Sequence, residues 1–132
     1  MADAMQFDLV SPERRLSSVS AREVQIPGSD GDLTAMAGHV PTITTLRPGV
    51  LRVIHAGGTD EFVVSGGFAE ITATGVSVLA EQALSRADLS PEIHARMVEE
   101  ARAALAAAQS AGVSGRVDDA SKFLADVTAL RA

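Results

Sequence analysis

Apolar and polar positions alternate in short runs from residue 5 to about residue 84, and turn-forming residues punctuate the runs. In MQFDLVS, Phe7 and Leu9 fall on one side of an alternating pattern, as in a half-buried strand. RLSSVSAREVQIPG reads as one longer extended run ending at Pro27-Gly28. LRVIHA and EFVVSG flank Gly57-Gly58, FAEITA and VSVLAE flank Thr74-Gly75, and both pairs read as hairpins. Pro48-Gly49 predicts a further chain reversal, and Gly66-Gly67 a bulge or bend between two strands. Short strands so spaced predict an antiparallel sandwich or barrel, of about ten strands, over residues 1–86. Asp, Glu, Thr and Ser occupy the alternate positions, so each sheet is expected to keep one wet face.

After Arg86 the period changes from two to that of a helix. Ser90 is placed as an N-cap, Pro91 as the first helical residue and Glu92 in the first turn. Ile93, Met97, Ala101, Ala104 and Ala108 recur at helical spacing, and Gly112 stops the run. A second helix is expected with Asp118 or Asp119 as its cap and Phe123, Val127 and Leu130 along one stripe, with Leu124 beside them. The fold class is therefore β followed by α: a sandwich, then an antiparallel two-helix hairpin over residues 87–132, joined near residues 85 to 89. Ile93, Met97, Ala101, Phe123, Val127 and Leu130 are the expected packing residues of the hairpin.

Composition narrows what such a chain can do. Of 132 residues 46% are hydrophobic and 21% charged, which allows one packed domain with an appendage. Aromatics are 3%, all Phe, so a stacking platform for bases or sugars is not expected. A net charge of −6 argues against nucleic acid and anionic lipid as partners. With no cysteine, disulfides, thiolate metal sites and thiol nucleophiles are excluded. No basic segment followed by an apolar one opens the chain, and nowhere do 18 apolar residues run together. These features predict a soluble cytoplasmic chain without insertion into lipid.

Candidate chemistry is sparse. His39, His55 and His94 fall in different predicted elements, His94 on the exposed side of a first helical turn, and no pair has the spacing of metal ligands. Ser65 lies in VSGG, a strand end rather than a nucleophile elbow. IPGSDGDL has glycines and acids but lacks the lysine of a phosphate loop and the spacing of a calcium loop, and it reads as a flexible acidic surface loop. The pairs Asp118-Asp119 and Glu99-Glu100 point in different directions along a helix. No catalytic residue, metal or cofactor is expected. The alternative is a small β-sandwich enzyme or ligand-binding module with its site beside His39, which a concave polar pocket there would mark.

Taken in order, LVSPE, IPGSDGDL, GHVPTITTLRPGVLRV, VSGGFAEI and VSVLAEQA, followed by a helical hairpin, resemble the epsilon subunits of bacterial F-type ATP synthases. The resemblance covers essentially the whole chain and is most specific over residues 7 to 83. It implies a non-catalytic rotor subunit of the central stalk, on the cytoplasmic face of the inner membrane, that couples the gamma subunit to the c-ring. By position it implies a c-ring contact at Ser29, Asp30, Gly31, Asp32 and Leu33. It implies a gamma contact at Ser11 and His39 and along Val40 to Thr44, in particular Val40, Pro41, Thr42 and Thr44.

In that family the helical hairpin can reach the catalytic alpha and beta subunits and inhibit ATP hydrolysis, and some members bind ATP through Ile/Leu-Asp-x-x-Arg-Ala. Here His94 stands where that motif has Asp, Arg96 is out of place, and Val98 and Glu99 precede Arg102-Ala103. Regulatory ATP binding is not expected. Beyond residue 87, Arg96, Arg102, Arg116, Lys122 and Arg131 face Asp88, Glu92, Glu99, Glu100, Asp118, Asp119 and Asp126. Exposed ion pairs contribute only ~0.2–1 kcal/mol each, so an acidic hairpin predicts weak inhibition at best.

Overall fold

The computed structural model of the chain describes residues 4–130, so Arg131, counted above among the basic residues, lies outside the described residues. Two compact units divide the chain, the first ending at Arg86 and the second beginning at Ala87. The first holds eight strands: β1 (Met5–Val10), β2 (Arg15–Ala21), β3 (Glu23–Gly28), β4 (Gly31–Met36), β5 (Thr42–Thr45), β6 (Gly49–His55), β7 (Gly58–Ile71) and β8 (Gly75–Ser85).

β7 and β8 form one long hairpin that serves both layers of a sandwich. The first layer runs β2, β1, the first half of β8, the second half of β7, then β5. The second runs β4, β3, β6, the first half of β7, then the second half of β8. Eight runs of chain thus supply five strand segments to each layer. β1 lies parallel to β8, and the remaining pairs are antiparallel.

Between the layers, Met5, Phe7, Leu9, Ala69, Ile71, Val76 and Val78 meet Val24, Ile26, Leu51, Val53, Phe62 and Val64 in one core, each at most 8% exposed. Burying one such large side chain contributes about 1.5–3 kcal/mol. Alternation along β1 puts Met5, Phe7 and Leu9 inside, while Gln6 lies on the other face.

The passage of β7 between layers rests on two glycines. Gly66 and Gly67 have φ of +71° and +89°, a region L side chains rarely enter. Pairing with β8 keeps one register across them, Ser65 opposite Gln82 and Gly67 opposite Ala80, so the feature is a bend within one strand and not a bulge. A Cβ on Gly67 would lie 1.9 Å from the Leu79 carbonyl oxygen.

Three expectations from sequence change here. The run RLSSVSAREVQIPG breaks at Arg22, whose N–H donates to the Ile54 carbonyl, because β2 belongs to the first layer and β3 to the second. Pro48-Gly49 does not reverse the chain. β5 and β6 both run antiparallel to β7 in one register, Thr45 opposite Phe68 and Gly49 opposite Val64, with Leu46 N–H bonded to Gly67 O between them. IPGSDGDL is a tight hairpin rather than a flexible loop, with Gly28 paired to Gly31 and Ser29-Asp30 as its turn.

A short 3-10 turn (Arg86–Asp88) precedes α1 (Pro91–Ala111), and α2 (Ser114–Ala129) follows. Ser90 Oγ accepts from Ile93 N–H at 3.2 Å, Pro91 opens the helix, and left-handed Gly112 donates back to Ala108 and Gln109. α2 starts earlier than expected: Val113 is its cap residue, its carbonyl accepting from Arg116 and Val117, so Asp118 and Asp119 lie inside the helix and do not cap it. Met97, Ala101, Val127 and Leu130 are buried, and Ile93 and Phe123 half-buried, whereas Ala104 is exposed and off the packed stripe. His94 is half-buried, not on an exposed side. Its Nε2 donates to the Val127 carbonyl at 2.8 Å, a group in the last turn of α2 that also accepts from the Leu130 N–H at 3.1 Å.

Gly67→Ala is expected to destabilise the chain by about 2–4 kcal/mol, from the positive φ and the clash with Leu79 together, as read from the midpoint of urea unfolding. His94→Ala should weaken the helical unit by about 1 kcal/mol, with faster amide exchange in the last turn of α2 and no change in β1 or β8.

Candidate functional site

The outer face of the first layer departs from the wet face predicted for it. Val10, Leu79 and Phe68 are paired side by side on β1, β8 and β7, at positions that alternate with the inward Leu9, Val78 and Ala69. Leu79 is 47% and Phe68 42% exposed, and Ile43 on the neighbouring β5 is 68% exposed. With Ser11, Pro12 and Glu81 the first three line a shallow open groove of about 400 Å³. Exposed apolar surface gathered on one face of a sheet marks a docking surface for another macromolecule.

The residues of the implied gamma contact divide. Ser11 sits on the groove rim, its Oγ donating to the Arg14 carbonyl at 3.3 Å. His39, Val40 and Pro41 lie in the β4–β5 connection, before Thr42, which pairs with Ile71 at the other end of the layer. His39 is half-buried and its Nδ1 donates to the Val40 carbonyl at 2.6 Å, while Val40 is 70% exposed. Thr42 and Thr44 are half-buried and alternate with the exposed Ile43 and Thr45. Thr44 Oγ1 approaches Gly28 in the second layer. The groove thus gathers Ser11 and leaves His39 to Thr44 outside its lining.

The implied c-ring contact forms one end of the sandwich. Thr45 Oγ1 donates to Ser29 Oγ at 2.8 Å, and Ser29 N–H donates to the Thr45 carbonyl at 2.9 Å, so the β3–β4 turn is tied to β5. Asp32 accepts an ion pair from Arg47. Asp30, at the tip, makes no ion pair among the described residues. Leu33 is half-buried against the core, leaving Gly31 and the two acids as the exposed surface.

The other imidazole in the sandwich is taken up by its own turn. Gly57 N–H donates to His55 Nδ1 at 3.0 Å, which leaves Nε2–H to donate to Asp60 at 3.0 Å. Glu61 accepts from both Arg52 and Arg86, at 3.3 and 3.0 Å, and so ties the end of the unit to β7. Among the described residues no group of three or more His, Asp or Glu side chains is placed to hold a metal ion.

Phe68, Leu79 and Glu81 were not singled out from the sequence. A signal was present: Val78-Leu79-Ala80 and Leu9-Val10 break the alternation, placing an apolar residue on a face that should be polar.

Comparison with known proteins agrees with this architecture. Residues 4–86 match the family described as ATP synthase, Delta/Epsilon chain, beta-sandwich domain. The ATP synthase epsilon chain of Fuscovulum blasticum is 57% identical over 132 residues, covering 100% of this chain and 97% of that one. That of Rhodobacter capsulatus is 55% identical over 130 residues, covering 98% and 96%. Among solved structures, a chain in the Euglena gracilis mitochondrial ATP synthase OSCP/F1/c-ring assembly superposes with a TM-score of 0.67 at 26% identity, covering 92% of this chain and 76% of that one. The chain therefore belongs to the delta/epsilon chain family of ATP synthases, and its likeness to epsilon chains extends over the β unit and the helical unit alike.

Proposed function

We propose that the chain is a non-catalytic rotor subunit of an F-type ATP synthase, docking on the gamma subunit through the groove face of its first layer and meeting the c-ring through the β3–β4 end. The observation that carries this reading is the apolar row Val10, Leu79 and Phe68, with Val10 half-buried and Leu79 and Phe68 open to solvent on an otherwise well-packed sandwich. Family membership supports it, as does the likeness to a chain of an assembly that contains both F1 and a c-ring. A coupler that transmits torque needs stiffness, and a close-packed two-layer core held by one continuous hairpin provides it.

The two contacts differ in chemistry. The groove provides apolar burial, which dominates affinity. The β3–β4 end presents Asp30, with Asp32 already neutralised by Arg47, and suits a basic loop on the ring with many weak contacts. The subunit is held at the cytoplasmic face of the inner membrane by its protein partners. Among the described residues no helix is long and apolar enough to cross a membrane. ATP is not a ligand of the helices in this reading, since His94 occupies the motif's acidic position and is engaged with Val127. Separating α1 from α2 to reach toward the alpha and beta subunits would break that bond, for an arm that carries more acids than bases.

Phe68→Ser combined with Leu79→Ser is expected to weaken co-purification with gamma by about ten- to a hundred-fold while thermal unfolding stays cooperative. Undiminished recovery of gamma would count against the groove as its seat. Deleting residues 88 to 132 should leave ATP hydrolysis by the reconstituted enzyme within about two-fold of the full-length rate. A several-fold rise would mean that the helices inhibit strongly.

A further inference from the structure

Two polar side chains line the groove, Ser11 and Glu81, and only one of them is committed. The Ser11 hydroxyl donates to the Arg14 carbonyl. The Glu81 carboxylate makes no hydrogen bond or ion pair among the described residues, although Arg14 and Arg15 belong to the turn and strand that follow Ser11. Its position is nonetheless defined: the side chain folds over Gly66, where a Cβ would lie 2.6 Å from Glu81 Oε2 and 2.8 Å from its carboxyl carbon. The bend that carries β7 between layers therefore also opens the space in which this carboxylate lies at the edge of the apolar groove.

A segment that covers Val10, Phe68 and Leu79 removes water from that edge. An apolar occupant would leave Glu81 charged, desolvated and unpaired, which is strongly unfavourable. One that brings a guanidinium or ammonium to the rim replaces the lost hydration with a charge-assisted hydrogen bond. Asp8 and Glu70 lie at outward positions of β1 and β7 in the same layer and add to a negative surround, but neither lines the groove. We infer that Glu81 is the specificity-determining residue of the groove, accepting a Lys or Arg from an apolar segment of the partner that seats on Val10, Phe68 and Leu79. The inference rests on the reading of the groove as the gamma seat and names the charge that the seated segment must carry.

The test is titration of the full chain against the gamma subunit at low and high salt. Glu81→Gln should bind about three- to thirty-fold more weakly at low salt and lose part of the salt dependence of the native chain. Glu81→Lys should bind more weakly still. Glu70→Gln, an exposed charge on the same layer but off the groove, should stay within about two-fold of native. Thermal unfolding of all three should match the native chain, since neither carboxylate is paired. Native-like affinity and salt dependence for Glu81→Gln would overturn the inference, as would equal losses for Glu81→Gln and Glu70→Gln, which would show a general charge effect. Loss of binding in the Phe68→Ser, Leu79→Ser chain alongside an unaffected Glu81→Gln would remove this inference alone. No loss in either would remove the groove reading with it.

Discussion

The sandwich depends on one bend. β7 can pair with β6 in one layer and β5 in the other only if its backbone turns at Gly66-Gly67 without losing register to β8. Positive φ at both residues and the approach of Leu79 O to Gly67 leave no room for a side chain there. The single hairpin β7–β8 thereby joins both layers covalently, so a load on one is carried into the other through main-chain hydrogen bonds as well as core contacts. The same missing side chains let Glu81 lie across Gly66, and fold and groove share one cause.

Burial and exposure are unevenly distributed over the first layer. Its inner face is made of Phe7, Leu9, Ile71, Val76 and Val78, fully enclosed. Its outer face carries Phe68, Leu79 and Ile43 in the open. A sheet with apolar residues on both faces has, on its open side, the kind of surface that docking would bury. The opposite kind of surface appears at the β3–β4 end, where Asp32 and Arg47 satisfy one another and Asp30 faces water. Strong apolar seating at one place and weak charge contact at another is a sensible division for a part held firmly by one partner and more lightly by a second.

Much of the fold was legible in the residues. Alternation placed β1 and the two glycine-marked hairpins, and Ser90, Pro91 and Gly112 bounded α1 by local hydrogen bonding and φ preference alone. What went unread involved long-range pairing. Pro48-Gly49 has the composition of a reversal, yet β5 and β6 both follow β7, and nothing local to the dipeptide encodes that third strand. Asp118 and Asp119 have cap chemistry, but the helix had already begun at Ser114 after the left-handed turn of Gly112. His94 looked solvated because its partner, the Val127 carbonyl, lies 33 residues away.

The sequence by itself determined the order of periods, two and then 3.6, the turn residues between runs, and five ordered segments specific enough to indicate a family. These are properties of neighbours in the chain, set by backbone preference and by which side chains water rejects. Only the tertiary structure decided which strand segments share a layer, and hence that Val10, Leu79 and Phe68, from three separate runs, form one row. It also decided which charges are spent, Asp32 on Arg47, and which stay open, Glu81 among them. Pairing across a sheet and neutralisation across a fold depend on distances in space that spacing along the chain does not carry.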